Sequence, residues 1–222
     1  MKYNYNSFMK LKYLLLFPVL FMMSGFFSCS KAEPRILYGF MSLIYYPGAE
    51  ERYSFFILPE DDDGVENLDE LYLYHDREGL RWLFTSEDWL KHEEDGKTWI
   101  GSRNIAMLDN LPMPRGLYRA VLVNKGGEST ERNFTYDGPE TPPYPFPELS
   151  ISGEHYRIDS LYPVNNVISY DQQGNMVNTF PLPVLEGNIN DLQLPGNVMT
   201  IAVWAEYPEY HISLLTEAAV IR

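Results

Sequence analysis

The 222-residue sequence predicts an all-β protein. Aromatic residues make up 15% of it, with 17 Tyr, 12 Phe and 4 Trp, and flat or β-branched side chains pack well on a pleated surface. Such residues gather in runs closed by Pro and Gly, and several pairs of runs are joined by short polar turns. The composition, 45% hydrophobic and 22% charged, is that of a chain able to bury a core.

Residues 35 to 46 and 52 to 58 read as strands bounded by Pro47-Gly48 and Pro59. Leu71–Tyr74 and Leu80–Phe84 make a hairpin about the charged tetrad Asp76 to Gly79. Ser86, followed by Glu87 and Asp88, predicts a single helical turn through Lys91. Trp99-Ile100 and Ile105 to Leu108 continue the strands. Further on, 167–170 and 176–180 form a hairpin about Asp171 to Asn175, and Leu194 to Ala205 leads into a long apolar strand. Tyr210, Ile212 and Leu214 alternate with His211 and Ser213, which predicts a strand with one wet face.

Residues 138 to 148 hold Pro139, Pro142, Pro143, Pro145 and Pro147. Such a segment cannot feed a ladder and favours extended geometry. It divides the chain into a unit at 35–137 and a smaller one at 149–222.

The start of the chain reads as an address. Lys2, Lys10 and Lys12 precede an apolar run from Tyr13 to Phe27, too short for the about 20 residues that span a bilayer and typical of a secretory signal. Ser28 and the sole cysteine, Cys29, stand at its end. With Phe26 and Phe27 ahead of them, this junction resembles the relaxed lipobox of spirochaete- or Bacteroidetes-like lipoproteins. The resemblance implies cleavage after residue 28, acylation of Cys29, a tether at 29–34, and a bacterial cell-envelope location on the outer membrane or periplasmic face. Removing 1–28 leaves 14 basic and 31 acidic side chains, a charge of 14 − 31 = −17.

Leu111 to Ser129, with Tyr118, Val121, Val123, Asn124, Gly126 and Gly127, resembles the penultimate strand and final turn of a fibronectin type III domain. Tyr118 takes the place of the corner tyrosine, whose hydroxyl bonds back to the backbone. Gly126 and Gly127 suit the positive φ of a tight turn. The hairpin carrying Trp82 resembles that family's third strand and its neighbour. The resemblance implies an immunoglobulin-like sandwich over 35–136, and the parallel between 111–123 and 194–205 implies a second one in tandem.

The net charge of −14 excludes nucleic acid as a partner, because polyphosphate binding needs a basic surface. One cysteine excludes an internal disulfide. No phosphate-binding Gly-rich loop, no Gly-x-Ser-x-Gly and no His-Glu-x-x-His occurs, so neither an enzyme nor a cofactor is expected. Asp61, Asp63, Asn67 and Glu70 fall at calcium-loop positions 3, 5, 9 and 12, but Pro59 at position 1 offers no side-chain oxygen; a solvated acidic loop is the favoured reading. Trp82, Trp89 and Trp99 fit either core packing, the favoured reading, or a ligand-stacking platform. The expectation is a lipid-anchored protein that binds or scaffolds a protein or glycan, with the membrane reached through its lipid.

Overall fold

The computed structural model describes residues 32–48 and 50–221. The expected signal segment and Cys29 lie outside them. The described residues form sixteen strands linked by turns and short 3-10 segments.

The first eight strands make a two-layer sandwich. One layer holds β1 (Arg35–Tyr46), β2 (Glu50–Glu60), β6 (Lys97–Ala106) and β5 (Leu90–Glu94) in the order β1-β2-β6-β5. The other holds β4 (Leu80–Thr85), β3 (Leu68–His75), β7 (Gly116–Asn124) and β8 (Ser129–Tyr136) in the order β4-β3-β7-β8. This is the immunoglobulin-like arrangement, first, second, sixth and fifth strands facing the rest. Alternation drives the layers together: Tyr53, Phe55 and Ile57 of β2 and Leu71 and Leu73 of β3 are fully buried. Tyr118, Ala120 and Leu122 of β7, beside β3 in its layer, join them in the core. Aromatic edges close the gap, with Tyr53 and Tyr118 ring centroids 5.5 Å apart and Phe55 and Phe134 5.2 Å apart.

The second half repeats the plan. β9 (Glu148–Ser152), β10 (His155–Asp159) and β13 (Glu186–Asn188) form a three-stranded sheet. β11 (Val164–Tyr170), β12 (Met176–Pro181), β14 (Thr200–Tyr207) and β15 (Ile212–Leu215) form the other layer in the order β12-β11-β14-β15, and β16 (Ala219–Val220) also pairs with β14. Tyr156, Ile158, Val167, Ile201, Val203 and Ala205 fill the core. In strand order this is again an immunoglobulin-like sandwich.

The halves share a sheet. β15 pairs parallel with β1, Leu43 opposite Ile212 and Tyr45 opposite Leu214, and the Leu43 amide donates to the His211 carbonyl at 2.8 Å. The Pro-rich stretch between them is pinned on both sides. The Pro139 carbonyl accepts from Arg115, the Tyr144 carbonyl accepts from Tyr162 at 2.9 Å, and Pro147 is buried.

Four local expectations are corrected. The helical turn at 86–91 is a single hydrogen-bonded turn, Trp89 N–H to Thr85 carbonyl, because Leu90 and Lys91 already pair with Gly101 and Ile100 in β5. Strand β6 ends at Ala106, so Met107 and Leu108 lie beyond it. Gly127, at φ 82°, is the one of its pair that takes a positive φ. Ser213 is buried rather than wet, since β15 lies inside a nine-stranded sheet instead of at its edge.

The corner of the first sandwich is set by two tyrosines. Tyr118 donates to the Pro114 carbonyl at 2.5 Å, and Tyr53 donates to the same oxygen at 3.0 Å. Burial pushes both phenols well above their ordinary pKa, so they remain donors. Tyr118→Ala is expected to cost about 3 kcal/mol or more in urea unfolding, the range for losing a large buried aromatic with its hydrogen bond; a loss below about 1 kcal/mol would contradict the corner assignment.

Candidate functional site

Because Tyr53, Phe55 and Ile57 point into the core, Ser54 and Phe56 of β2 face the opposite way. Register carries that outer face across the sheet. Phe40 of β1 lies opposite Phe56, Phe56 opposite Gly101 of β6, and Trp99 of β6 opposite His92 of β5. The result is a hollow of about 360 Å³ with Phe40, Phe56 and Trp99 as its apolar surface and Ser54, His92, Glu94 and Arg103 around them.

Gly101 is required where β6 runs beside Phe56 of β2. A Cβ there would come within 2.0 Å of the Phe55 carbonyl oxygen and 2.7 Å of the Phe56 Cα, so any side chain would push the neighbouring strand's backbone aside. The Arg103 guanidinium lies 5.8 Å from the Phe56 ring centroid, within reach of a cation–π contact. The side chains of Arg103, His92 and Glu94 have no hydrogen-bond or ion-pair partner among the described residues. Phe40 is 46% exposed, while Phe56 and Trp99 are half-buried.

The rings continue past Phe40. With Tyr210 and His211 it lines a second hollow of about 250 Å³, and the Phe40 and His211 rings meet edge to face at 5.2 Å. Tyr210 stacks on Tyr207 at 5.3 Å, and Tyr207 meets Tyr144 at 5.7 Å. The row thus runs from the first sandwich across the β1–β15 junction onto the second.

The structure separates the three tryptophans expected together. Trp89 is 6% exposed and packed in the core. Trp82 packs against that core and donates its indole N–H to the Ala106 carbonyl at 3.0 Å. Of the three, Trp99 is the one that lines the hollow. Phe40, Phe56 and Arg103 were missed. Their signal was alternation within runs aromatic on both faces, where Phe55 and Phe56 differ only in the side they present.

The acidic loop does not assemble its candidate calcium ligands. Asp61 accepts from the Asp63 amide and the Asn67 side chain, both at 2.9 Å, and from Asn124 at 3.3 Å. Glu70 lies in β3 and accepts from the Tyr72 hydroxyl. Among the described residues no three His, Cys, Asp or Glu side chains converge on a metal position. The Asp61 carboxylate instead braces the loop against the turn at Asn124.

No protein-family model matches the chain, and no curated protein matches it. Among solved structures, one described as "Crystal structure of Dpr11 IG1 bound to DIP-gamma IG+IG2" aligns with 83% of this chain and 99% of its own, at 11% identity and a TM-score of 0.26. A likeness that weak bears on neither function nor partner.

Burial works against ionisation of Asp61, but hydrogen bonds from Asn67, the Asp63 amide and Asn124 outweigh it and hold the carboxyl below its ordinary pKa. A depressed folded-state pKa contributes stability above the unfolded value of about 3.9, lost as pH falls through the folded one. Asp61→Ala is therefore expected to be less stable than wild type at pH 7, with the gap closing below about pH 4. Urea unfolding across that range checks this, and a gap that stays constant to about pH 3 would contradict it.

Proposed function

We propose that the chain is a non-catalytic, lipid-anchored protein of the bacterial cell envelope whose paired sandwiches bind another macromolecule. The observation that carries the binding role is the outer face of β1-β2-β6-β5. There, partly exposed Phe40, Phe56 and Trp99 adjoin Arg103, His92 and Glu94, whose polar ends are uncommitted. A folded chain gains nothing by presenting rings to water, and an exposed aromatic patch rimmed by polar groups is the usual mark of an interaction surface. The buried charged pair of the first sandwich, Glu51 and Arg115, is bonded into the fold and leaves no free acid or base there.

Anchoring rests on the position of Cys29 after the apolar run. Acyl chains there would hold the protein to a bilayer at about 0.8 kcal/mol per buried methylene. The rigid junction of β1 and β15 suits this role, because a ligand surface spanning both sandwiches needs them fixed against each other.

Radiolabelled palmitate is expected to enter wild-type protein and not Cys29→Ser. From native envelope extract, immobilised full-length protein is expected to retain a component that Phe56→Ala and Arg103→Glu do not. Equal labelling would overturn the anchor, and equal retention by all three proteins would overturn the face.

A further inference from the structure

We infer that the aromatic row is a binding site for an extended neutral polysaccharide, an assignment that rests on the chain being a binding module and names what it binds. The first support is chemical. A pyranose ring presents flat C–H surfaces and a rim of hydroxyls, and the hollow around Trp99 presents flat ring faces and a rim holding Arg103 as donor, Glu94 as acceptor and His92 and Ser54 as either. At about 360 Å³ the hollow falls in the ~300–1,000 Å³ range of small-ligand sites.

The second support is topological. The backbones of β2 and β6 beneath the hollow are laddered on both sides, β2 to β1 and β6, β6 to β2 and β5. A peptide cannot add to β2 or β6 as a strand, the mode in which main-chain bonds supply affinity, and only the outer edge of β5 is unladdered. Over β2 and β6, recognition comes from ring faces and side-chain tips, which is how a sugar is held.

The third support is electrostatic. A chain carrying −14 overall, with Glu94 at the hollow and Glu209 and Asp137 at the next one, repels an anionic polymer. The field thus disfavours a polyanion, whereas an uncharged polysaccharide meets no such repulsion.

Length follows from the row itself. Phe40 belongs to both hollows, and Tyr210, Tyr207 and Tyr144 carry ring surfaces onto the second sandwich. A single sugar would use only one end, whereas a chain of sugars uses the whole row and depends on the β1–β15 junction to keep its two ends in line.

The test uses the full-length lipidated protein in detergent. Affinity electrophoresis through gels holding starch, β-glucan, xylan or galactomannan identifies a retarding polymer, and titration calorimetry with its oligosaccharides gives affinities. Affinity is expected to rise with oligosaccharide length and to fall about tenfold or more in Trp99→Ala and in Tyr210→Ala, the effect of losing one stacking ring. Tyr72→Ala, on the outer face of the opposite layer, is expected to bind as wild type, and melting curves establish that each variant is folded. Retardation by none of the polymers, or unchanged affinity in folded Trp99→Ala, would overturn the assignment. If the Phe56→Ala-sensitive component from envelope extract were a protein and no polymer retarded the chain, the glycan assignment would fall and the binding module would stand. Failure of both experiments would overturn both.

Discussion

Arg115 and Glu51 form a buried ion pair on which the geometry of the first sandwich and its exit depends. Glu51, on β2, is 6% exposed and accepts from both terminal nitrogens of Arg115, at 2.7 and 3.1 Å, and from the Met113 amide at 2.7 Å. Arg115 donates in addition to the Met113 and Pro139 carbonyls and to the Tyr45 hydroxyl. Burial works to lower its pKa, but the hydrogen bonds to Glu51 outweigh that and raise it, so the guanidinium stays charged. Its own carbonyl accepts from Nε2 of His75, the last residue of β3. One side chain and its backbone thus tie β1, β2, β3 and the approach to β7 to the segment leaving β8. Desolvating two charges is costly, and the pair is tolerable because nearly every donor and acceptor in it is matched.

That tie has consequences beyond its own corner. By fixing Pro139 it sets the direction in which the chain leaves the first sandwich, and Tyr45, which it also holds, sits in the part of β1 that pairs with β15. The parallel ladder is short, so its register depends on both neighbours arriving in place. The aromatic row crosses that seam at Phe40 and His211, where a small shift between sandwiches would separate the rings that a ligand must bridge. A packed, bonded junction would give the proposed binding face its shape before any ligand arrives.

Much of this was legible in the sequence, and for identifiable reasons. The long strands β1 and β2 and the β3–β4 and β11–β12 hairpins follow from aromatic and β-branched runs and turn chemistry, which are local properties, and the corner at Tyr118 from the resemblance of its strand to a fibronectin type III strand. Strand β5, Leu-Lys-His-Glu-Glu, was not legible, because an exposed edge strand carries no apolar alternation and Ser86, Glu87 and Asp88 just ahead of it mimic a helix start. Nor was the β1–β15 ladder, since parallel pairing between distant segments leaves no mark on either one. At the site, Trp99 was visible as a residue type. The separation of Trp82 and Trp89 from it depends on the face each strand presents, and a bulge near Phe55 disturbs that count. Arg103 and His92 gain meaning only from the register that sets them beside Phe56 and Trp99.

A double-mutant cycle on Glu51 and Arg115 addresses the central claim most directly. Unfolding free energies of wild type, Glu51→Gln, Arg115→Met and the double variant give the coupling between the two groups free of their separate losses. An interaction made in a buried, fully bonded clamp predicts a coupling of about 2 kcal/mol or more, with the double variant recovering much of what either single change loses. A coupling below about 0.5 kcal/mol, as for an exposed surface pair, would mean that the clamp does not hold the sandwich or its exit in place.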